Sequence, residues 1–258
     1  MNDEALVSRE GPVVTLTFNR PEARNAMTWG MYQKLYEVCE EVDRDDSIRV
    51  LVLKGAGGKA FVAGTDISQF TEFKDGEDGI RYEREGEQRA GRVGRVTKPV
   101  IAQVEGAAVG GGFAICAGAD VRYGTPESRF GVPIARTLGN CLSMRNYANL
   151  MELLGVSRTK EMLLTGRLLS AEEALAAGFL HQIVAASEIE AKVRETAERL
   201  ASNAPLTMWA TKESVRRIQA ARQLPDGDDI VRRIYGSDDF KEGVKAFVEK
   251  RPPKWTGK

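Results

Sequence analysis

The run Gly110-Gly111-Gly112 constrains this chain more than any other feature. It joins one apolar segment, PVIAQVEGAAV, to another, FAICAGAD. Glycine loses the most backbone freedom on folding, so three in succession weaken any regular element. They fit only where the backbone itself must stay bare. A strand that turns through glycines into a buried helix exposes backbone N–H groups at the helix N-terminus, where the helix dipole favours negative charge. Two ligand classes use such a place: phosphates, and the oxyanion of a carbonyl under attack.

The phosphate readings fit poorly. The stretch GAGGKAF lacks the GxxxxGK spacing followed by Ser or Thr, because position 53 is leucine and Ala60 follows Lys59. GAAVGGG is not GxGxxG, and no strand, glycine turn and helix open the chain in the dinucleotide-binding order.

The surrounding pattern is α/β. Val13–Phe18 alternates apolar and polar residues and reads as a strand. Met27, Met31, Leu35, Val38 and Val42 recur at helical spacing. IRVLVLKGAGG and KPVIAQVEG read as buried strands, GFAICAGAD as a short buried helix and VRYGTP as a further strand. The last third is a series of helical patterns with glycine or proline stops, and Ser170 with Glu173 has capping-box spacing. The expected division is a core over residues 1–195 and a helical region of the same structural unit over 196–258.

Charge bounds the partners. The chain has 37 basic and 37 acidic residues, for a formal net charge of 0, which argues against nucleic acid or an anionic membrane as the main partner. No apolar run approaches a spanning helix, and MNDEALVSRE shows neither a basic nor an apolar signal-peptide region. Cys39, Cys116 and Cys141 are scattered without metal-type spacing, so no metal site and a cytoplasmic setting are expected. The one histidine, His181, has apolar flanks and reads as structural or surface-lying.

Six segments together, FNRPEARNAM, KAFVAGTDI, KPVIAQVEGAAVGGGFAICAGAD, RFGVP, LLTGRLLSAEEALAAGFLHQIV and FVEKR, resemble the enoyl-CoA hydratase/isomerase, or crotonase, superfamily. The resemblance is colinear from about Val13 to Arg251. It implies a spiral of ββα units with a helical C-terminal trimerisation region, in a homotrimer or a dimer of trimers. It implies an acyl-CoA substrate, with no cofactor beyond the CoA moiety. It also implies an oxyanion hole that stabilises a thioester enolate through the backbone N–H groups of Thr65 and Gly111. A side chain at Gly111 is then expected to crowd the thioester oxygen. Arg24, Ala26, Ala63, Asp66, Ile67 and Gly110 match substrate-binding positions. Lys250 matches a basic position that can reach a neighbouring subunit's ligand.

The family pattern breaks at both of its catalytic carboxylates. The two glutamate positions of typical hydratases hold Ala114 and Ile134, and neither can transfer a proton. Standard hydratase activity is therefore not expected. Near the gap, Arg136 could hold a carboxylate on the acyl group, and Thr137 or Asn140 could orient a water. Against that, Asn140 and Ser143 could cap the next helix while Cys141 packs inside. In RYEREGEQR, Glu83, Glu85 or Glu87 could point inward, but a solvated helix face is the simpler expectation. Two functions stay open at this point: a thioester-processing lyase or isomerase with unusual acid–base residues, and a CoA-thioester-binding protein with little or no catalysis.

Overall fold

The computed structural model describes residues 4–257. It opens with a hairpin. β1 (Ala5–Glu10) turns at Gly11 (φ 55°) into β2 (Val13–Phe18), and the two pair antiparallel. In β2, Val14, Leu16 and Phe18 are buried and the residues between them are half-buried, as the alternation requires. β1 is an edge strand with five of its six residues exposed, so it lacks the pattern that marks β2.

The next elements repeat a unit. After α1 (Trp29–Arg44) come β3 (Val50–Gly55), β4 (Ala60–Val62) and α2 (Gly76–Arg89). Then follow β5 (Val100–Val104), β6 (Ala107–Val109) and α3 (Gly111–Gly118), and after them β7 (Val121–Gly124), β8 (Arg129–Gly131) and α4 (Ile134–Thr137). Each unit lays its first strand in one sheet and its second strand in another. The remaining elements are α5 (Met144–Leu154), α6 (Val156–Thr165), β9 (Leu169–Ser170), α7 (Ala171–Ala176), β10 (Gln182–Ile183) and α8 (Ile189–Ser202), then α9 (Pro205–Ala220), α10 (Asp228–Tyr235) and α11 (Asp238–Val248). The larger sheet has the order β1-β2-β3-β5-β7-β10 and is parallel beyond β2. The smaller has the order β4-β6-β8-β9 and is parallel except at β9. This is the expected α/β spiral of ββα units.

Caps fix the helix starts. Thr28 accepts from Met31 N at α1, and Ser170 with Glu173 forms the anticipated capping box at α7. The division drawn between residues 195 and 196 falls inside α8. That helix packs Ile189, Val193 and Ala197 on Val50, Val52 and Ile101 of the large sheet. By contrast α9 has no buried residue, and Leu206 and Ile218 are 78% and 66% exposed.

The helix α2 meets α10 along Gly76 and Gly79. A Cβ at Gly76 would strike the Arg232 backbone, and one at Gly79 would strike the Tyr235 ring, both well inside van der Waals contact. A Gly79→Ala substitution gains helix propensity of about 1 kcal/mol but overpacks a rigid ring, which costs about 1–3 kcal/mol. We expect the collision to win, with a net loss of up to about 2 kcal/mol read from the urea midpoint. A variant as stable as the parent would mean that α2 and α10 are not in this contact.

Candidate functional site

The site is built from the loop that sequence patterning leaves between β2 and α1. Arg24 and Asn25 hold left-handed backbone, with φ of 51° and 58°. Asn25 is fully buried; its Oδ1 accepts from Arg20 N at 2.9 Å. Its Nδ2 donates to Ala56 O at 2.9 Å and Ala60 O at 2.8 Å. Three hydrogen bonds from one buried amide offset the strained conformation and pin this loop to the ends of β3 and β4. The pinned loop then pairs with the segment after β4. Ala63 N donates to Arg24 O, Met27 N to Gly64 O and Asp66 N to Met27 O.

On either side of Thr65 that pairing uses the Gly64 carbonyl and the Asp66 N–H, but not the Thr65 N–H. Among the described residues, the Thr65 N–H has no acceptor. The Gly111 N–H, at the first position of α3, has none either. Both residues line one cavity of about 940 Å³, a volume suited to a sizeable small molecule. The two loops touch there, since a Cβ on Gly110 would lie 3.7 Å from Gly64 Cα.

Each glycine of the run has its own reason. Gly110 needs a positive φ, at 55°. Gly112 faces the Val62 carbonyl too closely for any side chain. A Cβ on Gly111 would collide with the Tyr32 hydroxyl and lie 3.2 Å from Thr65 Oγ1. Within the chain itself, a protein hydroxyl thus already requires a bare residue at Gly111. Tyr32 Oη is 2.8 Å from Thr65 Oγ1, which is 3.0 Å from Tyr82 Oη. Burial holds the Tyr32 phenol protonated, with its pKa pushed up to about 12.

The other expected residues divide into three groups. Arg24, Ala26, Ala63, Asp66 and Ile67 line the same cavity. Asp66 is held below the usual carboxylate range, burial working against it while hydrogen bonds from Ser68 and Arg20 prevail. Ala114 and Ile134 also line the cavity and give it apolar wall. Arg136 and Lys250 are exposed and outside the lining, and nothing in this single chain brings Arg136 to the site. Ser143 caps α5, as anticipated, and Cys141 is buried. Asn140 is not a cap; its Nδ2 donates to Tyr235 Oη at 3.1 Å. His181 is structural, with Nδ1 accepting from Arg122 N.

Glu83 overturns the solvated-face expectation. It is 7% exposed and lines the cavity from α2. Oε1 accepts from Tyr235 Oη at 2.8 Å and Oε2 from Ser143 N at 2.9 Å. Burial pushes its pKa up to about 7, against the hydrogen bonds from Tyr235, Ser143 and Asn146. The signal was present in the sequence. Gly76, Gly79, Ile80 and Glu83 recur at helical spacing, and they are the buried face of α2.

The chain belongs to the enoyl-CoA hydratase/isomerase family, whose model matches residues 8–258. It is 31% identical to a short-chain-enoyl-CoA hydratase of Clostridium acetobutylicum over 96% of both chains. It is 32% identical to a carnitinyl-CoA dehydratase of Salmonella typhi over 100% of both. A methylmalonyl-CoA decarboxylase structure in complex with 2-nitronate-propionyl-CoA superposes with a TM-score of 0.90 at 27% identity, covering 100% of both chains.

The raised Glu83 pKa has a stability consequence. Between pH about 4.5 and about 7 the folded chain keeps a proton that the unfolded chain has lost. The contribution is therefore complete below pH about 4.5 and is lost as pH rises through about 7. The difference corresponds to about 3 kcal/mol. We expect the stability of the native chain, relative to Glu83→Gln, to fall by up to that amount from pH 5 to pH 8 in urea unfolding. A pH-independent gap between the two proteins would contradict the buried placement of this carboxyl.

Proposed function

We propose that this chain binds CoA thioesters and processes their acyl groups through a thioester enolate. The observation that carries the reading is the pair of N–H groups, at Thr65 and Gly111, that have no acceptor among the described residues and belong to residues lining one cavity. Losing a proton from the carbon next to a thioester carbonyl moves negative charge onto the carbonyl oxygen. Two fixed backbone donors, one at the start of the eight-residue helix α3, suit that charge. Arg24, Ala26, Ala63, Asp66 and Ile67 form the side of the cavity that would receive the CoA arm. The reading calls on no cofactor beyond that arm.

Ala114 and Ile134 argue against hydration by a pair of glutamates at those positions. They favour lyase or isomerase chemistry with another acid–base group. The same two residues support a second reading, thioester binding with little or no turnover. Both readings place the chain in the cytoplasm as a homotrimer or dimer of trimers. The bare apolar face of α9, with Leu206, Trp209, Val215 and Ile218 exposed, supports self-association.

Two experiments test this reading. The first compares Gly111→Pro with Gly111→Ala, each combined with Tyr32→Phe to clear the colliding hydroxyl. Proline at the first helical position keeps the helical φ and replaces the N–H with a ring methylene. Exchange of acyl-CoA α-protons into deuterated water should drop about 10²–10³-fold with proline relative to alanine. Equal rates would remove Gly111 from the oxyanion hole. The second is light scattering, which should return a multiple of three chain masses. Trp209→Asp with Ile218→Asp should reduce that mass. A monomeric parent would refute the assembly.

A further inference from the structure

We propose that Glu83 is the acid–base residue of this cavity, moving a proton to and from the α-carbon of the acyl group, with Tyr235 and Asn140 as positioning residues. The inference rests on the thioester-enolate reading above and supplies the proton carrier that Ala114 and Ile134 cannot.

Three observations carry it. First, Glu83 reaches the cavity from the same wall as the hydroxyl chain. Its neighbour Tyr82 bonds Thr65 Oγ1, and Thr65 holds one of the two N–H groups without an acceptor. Secondly, the carboxylate is not saturated. It has about four lone-pair positions, of which Tyr235 and Ser143 N take one each and Asn146 a third.

Thirdly, the chain of groups behind it can run in either direction. With Glu83 ionised, Asn140 Nδ2 donates to Tyr235 Oη, which donates to Glu83 Oε1. Asn140 Oδ1 is then buried with no partner. A carboxylate serving structure alone gives that oxygen no use, and a buried unpaired acceptor costs about 1–3 kcal/mol. When Glu83 takes up a proton, it can donate to Tyr235 Oη. Tyr235 then donates onward to Asn140 Oδ1 once the amide has turned over. Each protonation state thus keeps a continuous chain of hydrogen bonds behind the carboxyl.

The step is a proton transfer. The ionised Glu83 carboxylate takes the α-proton, forming the O–H bond as the C–H bond breaks. The C–H electron pair becomes the enolate C=C bond. The carbonyl π pair moves to the oxygen beside the Thr65 and Gly111 N–H groups. The reverse step returns a proton, or a deuteron after exchange with solvent, to the same carbon.

Other groups facing Glu83 leave the neutral range clear. Tyr32 from α1 and Cys141 from the segment before α5 have pKa values raised to about 12 by burial. Tyr82 of α2, Tyr147 of α5 and Tyr235 of α10 are also raised by burial. Glu87, one turn along α2, raises the Glu83 pKa by its charge and lies 3.7 Å from Arg145. Glu83 itself sits at about 7.

The experiment follows deuterium entry into butyryl-CoA by mass spectrometry from pH 5 to pH 9, beside calorimetric titration of butyryl-CoA binding. The native chain should bind the thioester and exchange it, with a rate that rises through an inflection near pH 7. Glu83→Gln should keep binding within about threefold and lose about 10²-fold or more in exchange. Tyr235→Phe removes a donor to the carboxylate, so its inflection should move up by roughly half to one pH unit. A role in packing alone would not move it. Exchange by Glu83→Gln within a few-fold of native, or an unmoved inflection in Tyr235→Phe, overturns the role of Glu83 and leaves the enolate reading standing. A native chain that binds butyryl-CoA without exchange overturns the proposal in favour of the binding protein. A native chain that does not bind the thioester removes the underlying reading and the proposal with it.

Discussion

One oxygen, Thr65 Oγ1, ties together the parts of the molecule on which the site depends. It meets Tyr32 from α1 and Tyr82 from α2, and it lies close to the bare face of Gly111 at the start of α3. These elements come from separate places in the chain, and each would otherwise be free to shift against the others. A hydroxyl carries one proton and two lone pairs, so a threonine can bond two tyrosine hydroxyls at once. Desolvation raises both phenol pKa values, so the tyrosines stay neutral and no phenolate stands beside the Thr65 and Gly111 N–H groups. The spacing between the Thr65 and Gly111 donors is therefore set before any ligand arrives. Donors held in advance need no reorganisation when charge develops.

Ala114 and Ile134 give the cavity wall an uncharged stretch. A negative charge placed beside these two side chains would meet no repulsion from them. Trp29, Phe70 and Tyr82 form an aromatic cluster around the same space. Apolar walls lower the local dielectric, and backbone dipoles act more strongly there than in water. The cavity is thus well suited to stabilise negative charge and poorly supplied with proton carriers on the α3 side. The one buried carboxyl on its wall comes from α2.

Much of the fold was legible in the sequence, because the responsible signals are local. The alternation of β2, the periodicity of α1, the buried helix after the glycines and the Ser170–Glu173 cap each depend on residues a few positions apart. β1 was not legible, since an exposed edge strand has no buried face to pattern. The loops that bear Thr65 and Gly111 could be read only through their combined motif resemblance. Their mutual contact depends on Asn25 and Tyr32, neither of which announces a long-range role. The placement of Arg136 was hidden for a related reason. Its charge suggested a pocket partner, but four residues of helix after Pro133 leave it on the solvent side.

Glu83 shows how a charged residue can be misread when its neighbours are glycines. The helix α2 is rich in Glu and Arg, and its buried face presents Gly76, Gly79, Ile80 and Glu83 in place of an aliphatic stripe. Glycines leave room for another helix rather than supplying apolar surface of their own. That room is filled by α10, whose Tyr235 stacks into the position a Gly79 side chain would occupy and reaches Glu83 with its hydroxyl. The packing that buries the carboxyl and the donor that stabilises its charge are therefore the same residue. Burial raises the pKa while the Tyr235 hydrogen bond lowers it, and the balance lies near neutrality. Packing and proton affinity cannot be changed independently at this point. A substitution on the inner face of α10 thus acts on the charge state of a cavity whose described lining includes no α10 residue.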